Sequence, residues 1–121
     1  MSQLNGQVYV NTGANQGLGK AIAKVYAAEG AKLAICARNA KKLDAVAEEL
    51  RTGGAEVLAL PTDVSDEKAV ADFFAAIMEK FGRIDVLVNN AGAFDGGPLD
   101  EMTTQGWHNV IGACLTGTFL C

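Results

Sequence analysis

The sequence predicts an α/β fold in which a parallel β-sheet carries helices on both faces. Short apolar runs alternate along the chain with segments whose apolar residues recur at helical spacing, as expected for strands joined by crossover helices. One run, IDVLVNNAG at 84–92, is apolar enough to be buried on both faces, as strands of parallel sheets are. The chain has 121 residues, of which 50% are hydrophobic and 20% charged, so we expect one globular domain over residues 1–121.

The first strand and helix are predicted from the N-terminal quarter of the chain. GQVYVNTG at 6–13 is short, apolar and rich in strand-forming residues, and it stops at a glycine. From Gly17 onward apolar residues recur at helical spacing until EGA at 29–31 ends the pattern. The apolar positions of this helix are Leu18, Ala21, Ile22, Val25 and Tyr26.

Two more strand–helix pairs follow. AKLAICA at 31–37 and AEVLALP at 55–61 predict the second and third strands, and the helix between them ends at two glycines. That helix has an apolar face made of Leu43, Val46, Ala47 and Leu50. The next helix is predicted to start with Ser65 as its N-cap. Its predicted inward side chains are Val70, Phe73, Phe74, Ile77 and Met78.

The last predicted pair is the strand at 84–92 and a helix that follows a loop containing glycine and proline. The residues at helical spacing in that helix are Trp107, Val110, Ile111, Cys114, Leu115, Thr118 and Phe119. The element order is therefore β-α-β-α-β-α-β-α, which favours parallel pairing and right-handed crossovers.

Three glycines lie between the first strand and its helix. Gly13 permits a sharp turn with positive φ, and Gly19 lets the helix lie close to the strand. A side chain at Gly17 would block an anion from the helix N-terminus, where free N–H groups and the helix dipole attract phosphate. The spacing differs from Gly-x-Gly-x-x-Gly, so a plain tight turn remains an alternative to a phosphate site.

Composition narrows the range of partners. The net charge is −4 and no basic run occurs, so neither nucleic acid nor an anionic membrane is an expected partner. Cys36, Cys114 and Cys121 form no Cys-x-x-Cys pair, which argues against a disulfide framework or a metal site and for a reducing compartment. The N-terminal residues lack a signal-peptide pattern and no apolar run approaches 18 residues, so a cytoplasmic protein is expected.

Four motifs together resemble the short-chain dehydrogenase/reductase family. They are TGANQGLG at 12–19, TDV at 62–64, NNAG at 89–92 and TGTFLC at 116–121, and they span nearly the whole chain. The resemblance implies a three-layer Rossmann-like fold, half of a doubly wound sheet, with four parallel strands in the order 3-2-1-4. It also implies an NAD(P)(H) cofactor and a relation to oxidoreductases that act on alcohols or carbonyl compounds.

The resemblance assigns the glycine turn to the pyrophosphate, Asp63 and Val64 to the adenine, and residues 89–92 to the floor of the site. Asp63 would accept a hydrogen bond from the adenine amino group; the alternative is a carboxylate that caps a helix. Asn89 and Asn90 could equally hold their loop through side-chain to backbone bonds, which is compatible with the family role. The predicted cofactor-binding residues are Gly13, Asn15, Gln16, Gly17, Leu18, Gly19, Arg38, Asp63, Val64, Asn89, Asn90, Ala91 and Gly92.

The residues after the second strand favour NADP(H) over NAD(H). An NAD site needs a carboxylate near this strand end to accept from the ribose 2′-OH, and family members that prefer NAD carry Asp where this chain has Ala37. Arg38 follows, then Lys41 and Lys42, and a guanidinium suits a 2′-phosphate. The alternative is a solvated basic face. Gln16 stands where the family often has a second basic residue.

The family's catalytic residues have no counterpart in these 121 residues. Neither Tyr9 nor Tyr26 begins a Tyr-x-x-x-Lys pair, so no catalytic residue is predicted. Cys114 aligns with the family's catalytic Asn, and it is predicted as a small buried hydrophobe, with a reactive thiol as the alternative. Asn11 also departs from the family, which usually has an aliphatic residue there. His108 is expected on a solvated helix face.

Three functional hypotheses follow from this resemblance. The first is a truncated NADP(H)-binding module without catalysis, the second an oxidoreductase with another mechanism or one completed by a second chain, and the third an interaction protein with a degenerate cofactor site. Ending after the fourth strand leaves an open apolar sheet edge and an exposed last helix. We therefore expect a homodimer or larger assembly through these surfaces.

Overall fold

The computed structural model of the chain describes residues 3–121. Its strands and helices are β1 (Val8–Thr12), α1 (Gly17–Ala28), β2 (Lys32–Ala37), α2 (Ala40–Thr52), β3 (Val57–Pro61), α3 (Glu67–Phe81), β4 (Val86–Val88), α4 (Thr104–Ile111) and α5 (Gly117–Leu120). A 3₁₀ turn, Leu99–Glu101, precedes α4, and a π-helical turn, Gly112–Thr116, joins α4 to α5. Among the described residues, no helix is both long and apolar enough to cross a membrane.

The four strands form one parallel sheet in the order β3-β2-β1-β4, which confirms the predicted topology. Alternate residues of each strand face opposite sides of the sheet. On one side Tyr9, Leu33 and Ile35 pack with residues of α1 and α2. On the other side Val10 and Ala34 pack with residues of α3 and with the C-terminal end of α5. The fold is thus the predicted three-layer Rossmann-like arrangement.

The face of α1 that packs on the sheet differs from the predicted one. Leu18 and Val25 are exposed, whereas Gly19 and Ala23 are buried. The helix lies so close to β1 that its contact positions take small residues, while the larger Tyr26 packs against Tyr9 with ring centroids 4.3 Å apart and the rings tilted by 44°. Apolar spacing predicted the helix correctly and its orientation wrongly.

Two local predictions for α3 are also wrong. Asp66, not Ser65, is the N-cap, because its carboxylate accepts from the amide of Ala69 at 3.1 Å. Met78 is half exposed rather than inward. The other inward residues of α3 are buried or partly buried, so the predicted face is displaced only at its C-terminal end.

The fourth strand is shorter and less buried than predicted. β4 has three residues of intermediate exposure, and residues 89–92 lie beyond its ladder. The segment α4–α5 contains the predicted helical residues, but Trp107, Leu115 and Phe119 are exposed. The described part of the chain offers these side chains no sheet face to pack against.

Candidate functional site

A cleft of about 590 Å³ opens at the carboxyl ends of the four strands. It lies where the chain, having moved outward from β1 to β3, returns to the other side of β1 as β4, which is where open α/β sheets bind ligands. The loops after all four strands contribute to its walls. All the predicted cofactor-binding residues except Gly19 and Asn89 line it.

The glycine turn has the geometry that its three glycines were predicted to provide. Gly13 has φ of +65°, and a Cβ there would lie 2.8 Å from the Cα of Ala91. Gly17 has φ of +53° and open space beside it, on the cleft side. A Cβ at Gly19 would overlap the carbonyl oxygen of Gly13, so Gly19 permits close helix–strand contact without lining the cleft.

Within residues 3–121, the N-terminus of α1 has no side-chain cap, unlike those of the other three helices of eight or more residues. Its N-cap, Gln16, makes no capping hydrogen bond, and its first turn has no acidic residue. In contrast, Asn39, Asp66 and Thr103 each accept an amide at the start of α2, α3 and α4. The first amides of α1 therefore remain free at the cleft, where backbone donors and the helix dipole favour an anion.

Side-chain hydrogen bonds hold the glycine turn against the loop after β4. Thr12 Oγ1 accepts from the amides of Asn90 at 3.1 Å and Ala91 at 2.9 Å. Asn90 Nδ2 donates to the carbonyl oxygens of Thr12 and Gly13, both at 3.2 Å. Asn90 thus holds its loop as the sequence suggested, while its neighbour Asn89 is exposed immediately after β4.

Asp63 stands at the edge of the cleft as an ionised acceptor. Its Oδ1 accepts from the hydroxyl of Ser65 at 2.6 Å and from the Ser65 amide at 2.9 Å. These bonds, with a smaller contribution from the positive charge of Arg38, lower the pKa of Asp63 below its usual value. The helix-capping alternative for Asp63 is wrong, since Asp66 caps α3.

A basic corner closes the cleft beyond β2. Arg38 is exposed and lines the cleft directly after the small side chain of Ala37. Lys42 Nζ donates to Gln16 Oε1 at 3.4 Å and so connects α2 with the glycine turn. Lys41 is exposed and lies outside the lining. Among the residues that line the cleft, the only carboxylate is Asp63 of the β3 loop.

Sequence reasoning missed the wall that α4 contributes to the cleft. The lining residues that it did not predict as cofactor-binding are Ala37, Asn39, Thr62, Ser65, Gln105, His108, Asn109, Gly112 and Ala113. His108 is exposed, as expected, but it faces the cleft. A signal was present, because positions 105, 108, 109 and 112 share one helix face opposite the apolar residues. The sequence did not indicate which space that face borders.

The three cysteines are free thiols in different surroundings. Cys114 is exposed, which contradicts the prediction of a buried hydrophobe, and its Sγ lies 3.6 Å from the Ala93 carbonyl oxygen. Cys36 is buried, and burial together with nearby Cys121 raises the pKa of its thiol to about 12. Within residues 3–121, no three His, Cys, Asp or Glu side chains cluster as a metal site would require.

Comparison with known proteins gives consistent matches over almost the whole chain. The protein-family model described as short chain dehydrogenase matches residues 7–121. The 3-oxoacyl-[acyl-carrier-protein] reductase of Synechocystis sp. is 40% identical over 100% of this chain and 49% of its own length. The chain thus spans about half the length of the curated relatives it matches.

Two solved structures share the fold and contain dinucleotides. A short-chain dehydrogenase/reductase from Burkholderia phymatum in complex with NAD has a TM-score of 0.95 and 37% identity, and the match covers 99% of this chain and 43% of that one. A metagenomic short-chain oxidoreductase in complex with NADP has a TM-score of 0.90 and 41% identity, with 97% and 53% covered.

Proposed function

The chain belongs to the short-chain dehydrogenase family, and on that premise we propose that its cleft binds NADP(H) as the cofactor-binding part of an oxidoreductase. The observation that carries the proposal is the uncapped N-terminus of α1, which opens into the cleft beside Gly17. The free amides offer donors for a pyrophosphate, and the open space beside Gly17 leaves room for it. Both features fit a dinucleotide.

Different lining residues would bind different parts of the cofactor. The first turn of α1, with Asn15, Gln16 and Leu18 around it, would bind the pyrophosphate. Asp63 and Val64 would flank the adenine, with the ionised Asp63 as acceptor for its amino group. Asn90, Ala91 and Gly92 would form the floor under the rest of the dinucleotide, whereas Asn89 lies outside the lining. When bound, NADP(H) supplies hydride-transfer chemistry.

The preference for the phosphorylated dinucleotide rests on the basic corner. Arg38 presents its guanidinium to the cleft, and the small Ala37 stands where a ribose-binding carboxylate would favour NAD. A charge-assisted bond from Arg38 to a 2′-phosphate favours NADP(H), although its exposure to water weakens the bond.

A direct test compares the two cofactors on the same protein. We expect NADPH to bind more tightly than NADH, and Arg38→Ala to raise the Kd for NADPH up to about fivefold, because an exposed charged bond contributes at most about 1 kcal/mol. The Kd for NADH should not change. Lys41→Ala is the matched control, since it removes a nearby positive charge outside the lining. Equal affinities for NADPH and NADH at low salt would contradict the proposed preference.

Hydride transfer to an alcohol or carbonyl substrate is a proposal for the whole protein. The chain spans about half the length of its relatives, and its 121 residues contain no Tyr-x-x-x-Lys pair. A hydride-transfer assay with the pure chain and a panel of carbonyl compounds tests whether this part alone is active. On the present proposal the chain binds NADPH and turns over none of these substrates.

We also propose that two copies of the 121-residue chain associate. The outer edge of β4 pairs with no strand within residues 3–121. Trp107, Leu115 and Phe119 expose apolar surface on the adjoining segment. In a longer protein, further residues could cover these surfaces; for this chain alone, a second copy is the proposed occupant.

A cytoplasmic location is proposed from the cysteines alone. The three thiols are free, which suits a reducing compartment. Cell fractionation followed by thiol labelling tests the location.

A further inference from the structure

Asn11 is a fully buried amide in the middle of the sheet. It lies on β1, with Ile35 of β2 and Val88 of β4 as its register partners. Its Nδ2 donates to the carbonyl oxygen of Gly19 at 2.8 Å. Its Oδ1 has no hydrogen-bond partner among residues 3–121. The side chain is therefore half satisfied, in a position surrounded by apolar core.

A half-satisfied amide is an unfavourable choice for this position if only stability matters. A buried acceptor without a donor loses its hydration and gains nothing in return. An aliphatic side chain of similar size would avoid that cost, since the residues beside it on the same sheet face are Tyr9, Leu33 and Ile35. When a residue breaks the local rule beside a functional site, a role at that site is the first explanation to test.

The hydrogen bond of Asn11 reaches the glycine turn from the opposite side to Thr12. The two residues are adjacent on β1, so their side chains point to opposite faces of the sheet. Thr12 holds the start of the turn to Asn90 and Ala91. Asn11 holds its end, since Gly19 lies in the first turn of α1. The segment between these two anchors carries the free amides that face the cleft.

We infer that Asn11 is a positioning residue, which sets the first turn of α1 for the pyrophosphate of a dinucleotide. This inference rests on the proposed function. The Gly19 carbonyl also stands where α1 needs an acceptor for the amide of Ala23, by helical spacing. A second donor from β1 fixes the direction of that carbonyl and, with it, the orientation of the whole first turn. Gly19 has no side chain, and the side chain of its neighbour Leu18 is exposed, so neither residue can orient the first turn by packing in the core.

The test uses Asn11→Val and Asn11→Ala with two ligands. NADPH contains the pyrophosphate, whereas adenosine 2′-monophosphate lacks it and keeps the adenine and the 2′-phosphate. We expect both variants to raise the Kd for NADPH about fivefold, the equivalent of one ordinary hydrogen bond, and to leave the Kd for adenosine 2′-monophosphate within about twofold. Their effects on stability should be opposite, because valine fills the space without an unpaired acceptor and alanine leaves a cavity.

The opposite stabilities separate positioning from simple folding effects. A merely structural role would make NADPH affinity follow the denaturation midpoint, so the more stable Asn11→Val would bind normally, and that result overturns the inference. If either variant raises the Kd for both ligands by the same factor, the inference is also overturned, because the effect would then not be specific to the pyrophosphate.

A ligand-free measurement distinguishes failure of this inference from failure of the proposed function. We expect the amide of Ala23 to exchange its hydrogen several-fold faster in Asn11→Val, although that variant is the more stable one. Unchanged exchange overturns the inference alone. If the unsubstituted protein binds neither NADPH nor adenosine 2′-monophosphate, the proposed function fails, and the pyrophosphate role of Asn11 fails with it.

Discussion

Gly17 and Gly82 both have a positive φ but lie in different parts of the molecule. Gly17 has φ of +53° and lies at the cleft, whereas Gly82 has φ of +73° and ends α3. A Cβ at either position would meet nothing within 4 Å. Substitution by alanine therefore introduces strain from a positive φ at both sites and fills ligand space at only one.

We expect Gly17→Ala and Gly82→Ala to lower the free energy of unfolding by similar amounts, about 1–2 kcal/mol, because both force alanine into the left-handed region. Only Gly17→Ala should weaken NADPH binding. Chemical denaturation measures the first effect and fluorescence titration the second. Normal NADPH affinity in Gly17→Ala would show that the glycine turn is not part of the NADPH-binding site.

At the scale of elements, periodicity predicted the strands and helices because each is a local pattern with its own boundary residues. The orientation of α1 was wrong because a helix that touches the sheet through Gly19 and Ala23 exposes larger residues such as Val25. β4 is short because the backbone amides of Asn90 and Ala91, which follow it, donate to the Thr12 side chain and not to a neighbouring strand. Both outcomes depend on tertiary contacts between segments, which cannot be predicted from the residue pattern of one segment alone.

The same distinction applies to the cleft. The glycine turn and Asp63 could be predicted because their chemistry lies in contiguous residues. The wall formed by Gln105 and His108 could not, since its placement depends on how α4 sits against the loop after β3. That placement depends on two glycines of the α4–α5 segment.

Gly112 and Gly117 bring α4 and α5 against the loop after β3. The π-helical turn between them places the Gly117 amide on the Gly112 carbonyl, so the two glycines stack on one side of the segment. A Cβ at Gly112 would lie 3.2 Å from Ser65 Cβ, and one at Gly117 would lie 2.5 Å from Val64 Cγ2. Both contacts are with residues that line the cleft.

We expect Gly117→Ala to destabilise the protein, because an overpacking cost of about 1–3 kcal/mol exceeds the gain of about 1 kcal/mol in helix propensity. Val64→Ala in the same chain should relieve the overlap. The double variant is then more stable than the sum of the two single effects predicts, as a double-mutant cycle from urea denaturation would measure. Additive effects would mean that α5 does not rest on Val64.

Gly53→Ala is the control for helix propensity alone. Gly53 ends α2 in a right-handed conformation, and its Cβ would come no closer than 3.4 Å to another atom. The substitution Gly53→Ala should therefore leave the free energy of unfolding unchanged or raise it, and its effect should be additive with that of Val64→Ala.

At the scale of the whole molecule, the two edges of the sheet differ in what lies beside them. The sheet is covered by α1 and α2 on one face and by α3 and the end of α5 on the other, and its edge strands are β3 and β4. The side that carries β4 and the α4–α5 segment exposes a strand edge and several large apolar side chains. Monomers rarely leave such a combination in water, because both features favour association.

We therefore expect light scattering of the 121-residue chain at micromolar concentration to give at least twice the monomer mass. Leu115→Glu should shift the population toward monomer, because a carboxylate within an apolar interface would lose its hydration. Val25→Glu is the matched control, since Val25 is exposed to a similar extent on α1, away from β4. A monomer at this concentration, or equal dissociation by both substitutions, would contradict association through this side. Because Leu115 does not line the cleft, the dissociated variant should bind NADPH with unchanged affinity.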